Sequence, residues 1–447
     1  MIQPIYIFLL VALVVSVTIA MLVLPNILLI SHKKKLFDMP DKRKVHHAPI
    51  PRLGGLSFFP VMLITMGGLV LIYHLMGLSS GSMHGEVPYE FLALLVGSMM
   101  LFLVGLADDL IGVGYKKKFL VQIVAASLLV ASGVWIKSLD GLFGIYQLSP
   151  WVGMPFTVLI VVYVTNAINL IDGIDGLASG LCGISLVALA GQHIWLHLFS
   201  FALLCITALG VIIPFWFYNV FGNAMRGRKL FMGDSGSLSL GYIISFLMIH
   251  LSTVDVSPHV VSDYNMVFAF TTMLVPLLDV VRVVGHRLRN RQNPFLPDKS
   301  HIHHKLLRCG LRVRQVMVAI CLLSLMFILL NFLMIGHVNI TYILGIDIAV
   351  GAFERFTPGG RPHHLRGRVE RVGGHWRHLR HAGRRLLPGL ERRLHSRPQP
   401  VDSLGHHRLT GTLAVGRHRQ AARPAGLHPD RARLRRDAGV AVQGHRL

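Results

Sequence analysis

Residues 5–30 read IYIFLLVALVVSVTIAMLVLPNILLI, without a single charge. As a helix rising 1.5 Å per residue, this run exceeds the roughly 30 Å hydrocarbon core of a bilayer. No small-residue cleavage pattern follows it, so it is expected to stay as a span rather than leave as a leader. Runs of the same kind recur near 53–77, 90–107, 119–136, 154–171, 177–197, 199–220, 236–253, 264–285 and 314–335, and another starts near Ile340. The expected fold is all-α, a polytopic integral membrane bundle of about 10 or 11 transmembrane helices.

Composition agrees. The chain has 447 residues, 53% apolar and 15% charged, against roughly 25% charged in a soluble domain. That excludes a soluble globule and a disordered chain. Four cysteines in 447 residues also exclude a disulfide scaffold, and none of them shows metal-ligand spacing. The net charge of +23 divides unevenly: residues 1–350 carry +8, while 351–447 carry +15 from 21 Arg, with 11 His and no Lys. Residues 1–350 are read as the membrane domain. The last apolar run stops near Val350, and the Arg/His-rich remainder suits a disordered basic tail or sequence appended by a changed reading frame. Nucleic acid is not an expected partner.

Charge also orients the bundle. The loop 31–52 holds Lys33, Lys34, Lys35, Lys42, Arg43, Lys44 and Arg52. Counting spans from it makes 108–118, 172–176, 221–235 and 286–313 cytoplasmic, and these loops carry nearly all the remaining basic residues of 1–350. The intervening loops carry only Lys137. The N-terminus is therefore expected outside. Every cluster of acids and histidines falls on the cytoplasmic side, whereas a transporter would be expected to place such groups near mid-membrane.

Four clusters can do chemistry. Asp108–Asp109, followed by Lys116–Lys118, could act as a base, bind metal or orient a phosphate. Asn166, Asn169, Asp172 and Asp175 are spaced i, i+3, so on a helical end they share one face. Their oxygens suit a hard cation, Mg²⁺ or Mn²⁺, that phosphates help to ligate. Phe231-Met232-Gly233-Asp234-Ser235-Gly236 resembles a helix N-cap whose free amides could bind phosphate. His301, His303 and His304 lie among Arg287, Arg289, Arg291, Lys299 and Lys305 and read as a polyanion clamp.

In this order on one face, with Phe37–His47 and Pro51–Gly55, these motifs resemble the polyprenyl-phosphate N-acetylhexosamine-1-phosphate transferases of glycosyltransferase family 4, over roughly residues 5–350. The likeness is greatest to bacterial undecaprenyl-phosphate GlcNAc-1-phosphate transferases. The resemblance implies a multi-pass enzyme of the bacterial inner membrane that transfers a sugar-1-phosphate from a UDP-sugar to undecaprenyl phosphate on the cytoplasmic side. UMP is released and a lipid-linked envelope polysaccharide begun. It implies metal ligation by Asn169, Asp172 and Asp234, and service to the lipid-phosphate nucleophile by Asp108 and Asp109. Asp175 and Phe231 would hold uracil, Lys118 a phosphate, and His301, His303 and His304 the diphosphate or sugar, with Asp38 and Arg282 assisting. Another UDP-N-acetylhexosamine or UDP-MurNAc-pentapeptide would undergo the same chemistry. The His-Ile-His-His order differs from the Pro-x-His-His-His pattern of the peptidoglycan-precursor enzymes. A homodimer is compatible with this reading.

Overall fold

A computed structural model describes residues 4–38, 49–77, 88–254, 265–293 and 300–353, all within the first of two compact units, 1–367. What was expected of the tail beyond 353 lies outside the described residues. The helices are α1 (Pro4–Lys34), α2 (Phe58–Leu75), α3 (Tyr89–Ile111), α4 (Tyr115–Ala131), α5 (Pro150–Ile171), α6 (Leu177–Trp195), α7 (Phe199–Phe221), α8 (Gly233–Thr253), α9 (Asn265–Thr271), α10 (Leu274–Arg289), α11 (Ile302–Arg308), α12 (Val313–Met334) and α13 (Ile340–Phe353). Eight are long and apolar enough to cross a membrane, and α9 with α10 makes a ninth, bent by 71°. The two other expected runs appear as the 17-residue α4 and the 14-residue α13. Strand content among the described residues is two short antiparallel pairs, β1 (Phe37–Asp38) with β2 (Ile50–Pro51) and β3 (Ser138–Leu142) with β4 (Ile145–Gln147).

Each apolar run became a helix because the bilayer leaves backbone amides no partner but their own turn. The boundaries moved where polar groups found tertiary partners. α3 continues through Asp108 and Asp109, and Lys116–Lys118 open α4, so the 108–118 loop shrinks to a few residues. The run read as one span at 264–285 breaks between α9 and α10. Thr271 there accepts from Asn331 of α12 (2.7 Å), and Thr272 accepts from Ser185 of α6 (2.8 Å). Asn331 also donates to Asp347 of α13 at 2.9 Å, so three neighbouring helices pin the bend. Pro276, in the first turn of α10, is tolerated there because its missing N–H has no helical partner to lose.

The centre of the bundle is α8, most of whose side chains are buried. It packs against α3, α5 and the turn Leu53–Ser57, and at Gly105 and Gly55 its backbone comes too close for any side chain on the neighbour. A Cβ on Gly105 would stand 2.6 Å from the backbone of Asp234 and Ser235, and one on Gly55 would stand 2.2 Å from Gly236. Tyr242 of α8 donates to the Ala125 carbonyl of α4 at 2.9 Å. These contacts set the depth at which the first turn of α8 presents its polar groups.

Candidate active site

The acids, amides and histidines singled out in the sequence gather where α3 and α5 end and α4, α8 and α11 begin, with the middle of α10 holding the histidine loop. Asp109 reaches the first turn of α8. Its carboxylate accepts the Asp234 N–H (2.8 Å), the Ser235 N–H (3.0 Å) and the Ser235 hydroxyl (2.8 Å). The amides expected to be free for a phosphate are therefore already occupied. An anion at a helix N-terminus is favoured both by these donors and by the helix dipole, and Asp109 acts as a cap supplied from another helix. Gly233 makes this approach possible, with φ +72° and Arg52 O and the Asp109 carboxylate where a Cβ would sit.

Asp234 is held from two sides. Lys118 Nζ stands 2.7 Å from its Oδ2 and 3.4 Å from Asp108. Asn169 Nδ2 donates to Asp234 Oδ1 (3.1 Å) and to Ser237 Oγ (2.8 Å). Asp108 also accepts the Val113 N–H at 2.7 Å, closing the end of α3. The i, i+3 face expected over 166–175 does not continue, because α5 ends at Ile171 and Asp172 leaves helical geometry. Asn166 turns instead towards Gln122.

Desolvation and the neighbouring carboxylates of Asp234, Asp175 and Asp109 push Asp172 up to about 7, with Arg52 opposing. Among the described residues no three His, Cys, Asp or Glu side chains stand together to hold a metal ion unaided. The mutual repulsion around Asp172 nevertheless fits a cation, and the oxygen donors fit a hard one that also takes phosphate oxygens.

Asp175 pairs with Lys229 Nζ at 2.5 Å. The two loops carrying them are tied by Asn219 of α7, a buried residue with no place in the sequence reading. It accepts the Gly176 N–H (2.5 Å) and donates to the Leu230 carbonyl (2.7 Å). Phe231 is fixed through its backbone, donating to Pro51 O (2.8 Å) and accepting from Gly54 N–H (2.9 Å). Asp38 lies beside this strand-like segment through β1, where its backbone pairs with Ile50.

The histidine loop differs from a charged clamp. Asp279 of α10, 4% exposed, accepts from His301 Nδ1 (2.8 Å), the Ile302 N–H (2.9 Å) and Arg282 (2.5 Å), and Arg282 also donates to Ser300 O (2.7 Å). His301 and Arg282 thus shape the loop. His303 is 1% exposed and lies against the 172–176 turn, where a Cβ on Gly173 would meet its Nε2 at 2.3 Å. Burial, then His304 and His301, push it down to about 3 against the pull of Asp279, so it is a neutral imidazole. Both its ring nitrogens are buried and unpartnered.

Residues 91–252 match the model of glycosyl transferase family 4. A Bacillus subtilis protein named "Probable undecaprenyl-phosphate N-acetylglucosaminyl 1-phosphate transferase" is 33% identical over 326 residues, covering 71% of this chain and 82% of its own. This chain belongs to glycosyl transferase family 4. The undecaprenyl-phosphate alpha-N-acetylglucosaminyl 1-phosphate transferase of Escherichia coli K12 is 31% identical over 297 residues (66% of this chain, 75% of its own). The protein of the same name from Salmonella typhi is 33% identical over 291 residues (64% and 73%). The family-4 member described here is accordingly a multi-pass membrane enzyme that transfers a sugar phosphate. The family match spans α3 to α8, the helices that bring Asp108, Asp109, Lys118, Asn169 and Asp234 together.

Proposed function

We propose that this enzyme transfers GlcNAc-1-phosphate from UDP-GlcNAc to undecaprenyl phosphate on the cytoplasmic side of the bacterial inner membrane. UMP is released, and the lipid diphosphate-sugar starts an envelope polysaccharide. The observation that carries this reading is the convergence of Lys118 and Asn169 on Asp234, beside Asp172 and the Asp175–Lys229 pair, at one end of the bundle. The substrates named for the similar transferases are what that end is suited to bring together. The side is supported by Lys33 and Lys34, which close α1, and by the basic loops that surround the site.

An oxygen of the lipid phosphate attacks the β-phosphorus of the donor, and the bond from that phosphorus to the UMP oxygen breaks. Two anions must meet, so their repulsion is the main barrier for the protein to lower. Lys118 supplies positive charge between Asp108 and Asp234, next to the reacting phosphates. Asp108, with its pairing to Lys118, orients the acceptor phosphate; a phosphate monoester is largely ionised near neutral pH and needs little help losing a proton. Asp175 and Phe231 hold the uracil, and Lys229 sets the Asp175 carboxylate. His303 and His304 face the sugar diphosphate, and His303 donates as a neutral ring. Asp172, Asp234 and Asn169 would hold Mg²⁺ or Mn²⁺, which when bound neutralises diphosphate charge.

The test offers UDP-GlcNAc, UDP-GalNAc and UDP-MurNAc-pentapeptide separately to membranes containing the enzyme and undecaprenyl phosphate. Equimolar UMP and lipid-linked GlcNAc are expected from the first donor, to be lost on chelation and regained with Mg²⁺. A lipid product from another donor alone would replace the sugar assignment, and turnover in excess chelator would remove the metal.

A further inference from the structure

Lys118 and Asn169 reach the two oxygens of Asp234 from different helices, and one turn deeper the same two helices are joined again. Gln122 lies four residues beyond Lys118 in α4, and Asn166 lies three before Asn169 in α5. Asn166 Nδ2 donates to Gln122 Oε1 at 2.5 Å and to the Val162 carbonyl at 2.7 Å, and Gln122 Nε2 returns a bond to Asn166 Oδ1 at 3.4 Å. Gln122 is 1% exposed and shares its side of α4 with the fully buried Ala125, Ala126 and Leu129. Two apolar side chains would fill this space without the need for mutual satisfaction. What the amides add is direction, since a reciprocal pair tolerates less sliding or rotation of α4 against α5 than apolar contacts do. That register decides where Lys118 Nζ stands, 2.7 Å from Asp234 and 3.4 Å from Asp108.

We propose that Gln122 is a positioning residue: paired with Asn166, it keeps α4 and α5 in the register that lets Lys118 and Asn169 both reach Asp234. It touches no substrate and acts on turnover rather than on affinity. The proposal rests on reading Lys118 and Asp234 as part of the reaction centre. It is separable from the choice of donor, because the test uses whichever UDP-sugar the wild-type enzyme turns over.

Three full-length variants are compared with wild type in membranes at matched abundance. Gln122→Leu nearly keeps the volume and leaves Asn166 Oδ1 without its donor, while Nδ2 keeps the Val162 carbonyl; kcat is expected to fall about tenfold, with both KM values within about twofold, the size expected when a buried polar group loses its partner. Gln122→Glu carries the sharper readout. As a neutral acid it both donates to and accepts from Asn166, whereas its ionised form only accepts. Its kcat relative to wild type should therefore be near one at low pH and fall as pH rises. Ser127→Ala, on the exposed side of α4, removes a hydroxyl bonded only to the Ile123 carbonyl of its own helix and should match wild type. A Gln122→Leu enzyme with wild-type kcat overturns the proposal. So does a Gln122→Glu deficit that does not change with pH, and that profile alone decides if the leucine variant fails to accumulate.

Discussion

Replacing Asp109 by Asn separates its capping of α8 from a direct part in the chemistry. The carboxylate accepts three hydrogen bonds from Asp234 and Ser235. An amide in the same place can turn only one oxygen to those donors, and its NH₂ then faces an N–H. At least one charge-assisted bond is lost and a buried donor is stranded, together about 2–3 kcal/mol. A loss of that size lowers Tm by about 5 °C or more in a domain of a few hundred residues. Turnover should fall with it, because Asp234 opens the helix that loses its cap. Asp108→Asn is the comparison: the amide oxygen still takes the Val113 N–H, and only the 3.4 Å contact with Lys118 weakens, worth under about 1 kcal/mol. Thermal unfolding in detergent and UMP release from the same preparations measure both effects. An Asp109→Asn enzyme that is inactive yet unfolds at the wild-type temperature would refute the capping role and return Asp109 to the substrates.

Other outcomes follow from the same geometry. Asp172 is raised to about 7, above the roughly 3.9 of an unfolded chain, so the folded state holds the extra proton between these values. Stability should decline as pH rises from about 4 to 7, and Asp172→Asn should be more heat-stable than wild type at pH 8, the gap closing towards pH 4. Asp175→Asn should raise the KM for the UDP-sugar about tenfold, as loss of a charge-assisted contact does, with the lipid KM unchanged; paired kinetic titrations check this. His301→Ala should lower Tm, because it strips one of three partners from the buried Asp279. His303→Asn, which keeps more of the ring's volume than alanine, should lower Tm less than His301→Ala does and lower kcat more, and equal behaviour of the two variants would argue against dividing the loop this way.

The apolar runs made the bundle legible, because that signal is local and set by the bilayer. The order of Asp108–Asp109, Asn166–Asp175, Phe231–Ser235 and His301–His304 made the site legible as a set of places. How those residues connect was not legible. Asp109 meets Ser235 across 126 positions of chain, and Gln122 meets Asn166 across 44. Nothing about a lone amide in a hydrophobic helix announces its partner. Asn219 was missed for the same reason; the bend at Thr271–Thr272 had a local signal in Pro276, which denies the Thr272 carbonyl its helical partner, but its hold by Ser185 and Asn331 did not show in the sequence. Asp279 is an acid in an apolar run, but its part in folding the histidine loop needed the return of residues 300–304 to α10.

The close passage of Gly55 and Gly105 along the first turns of α8 bears on how mutations in this enzyme should be read. At either position a single methyl group would meet backbone that has no rotamer to adopt. Neither residue has a functional group to offer, yet an alanine at either would press on the segment that presents Asp234. Random mutagenesis should therefore return inactive alleles at these two glycines as often as at the acids. A map built from such alleles would mark a larger active site than the one that touches substrate, with its extra territory composed of residues whose contribution is the space they leave.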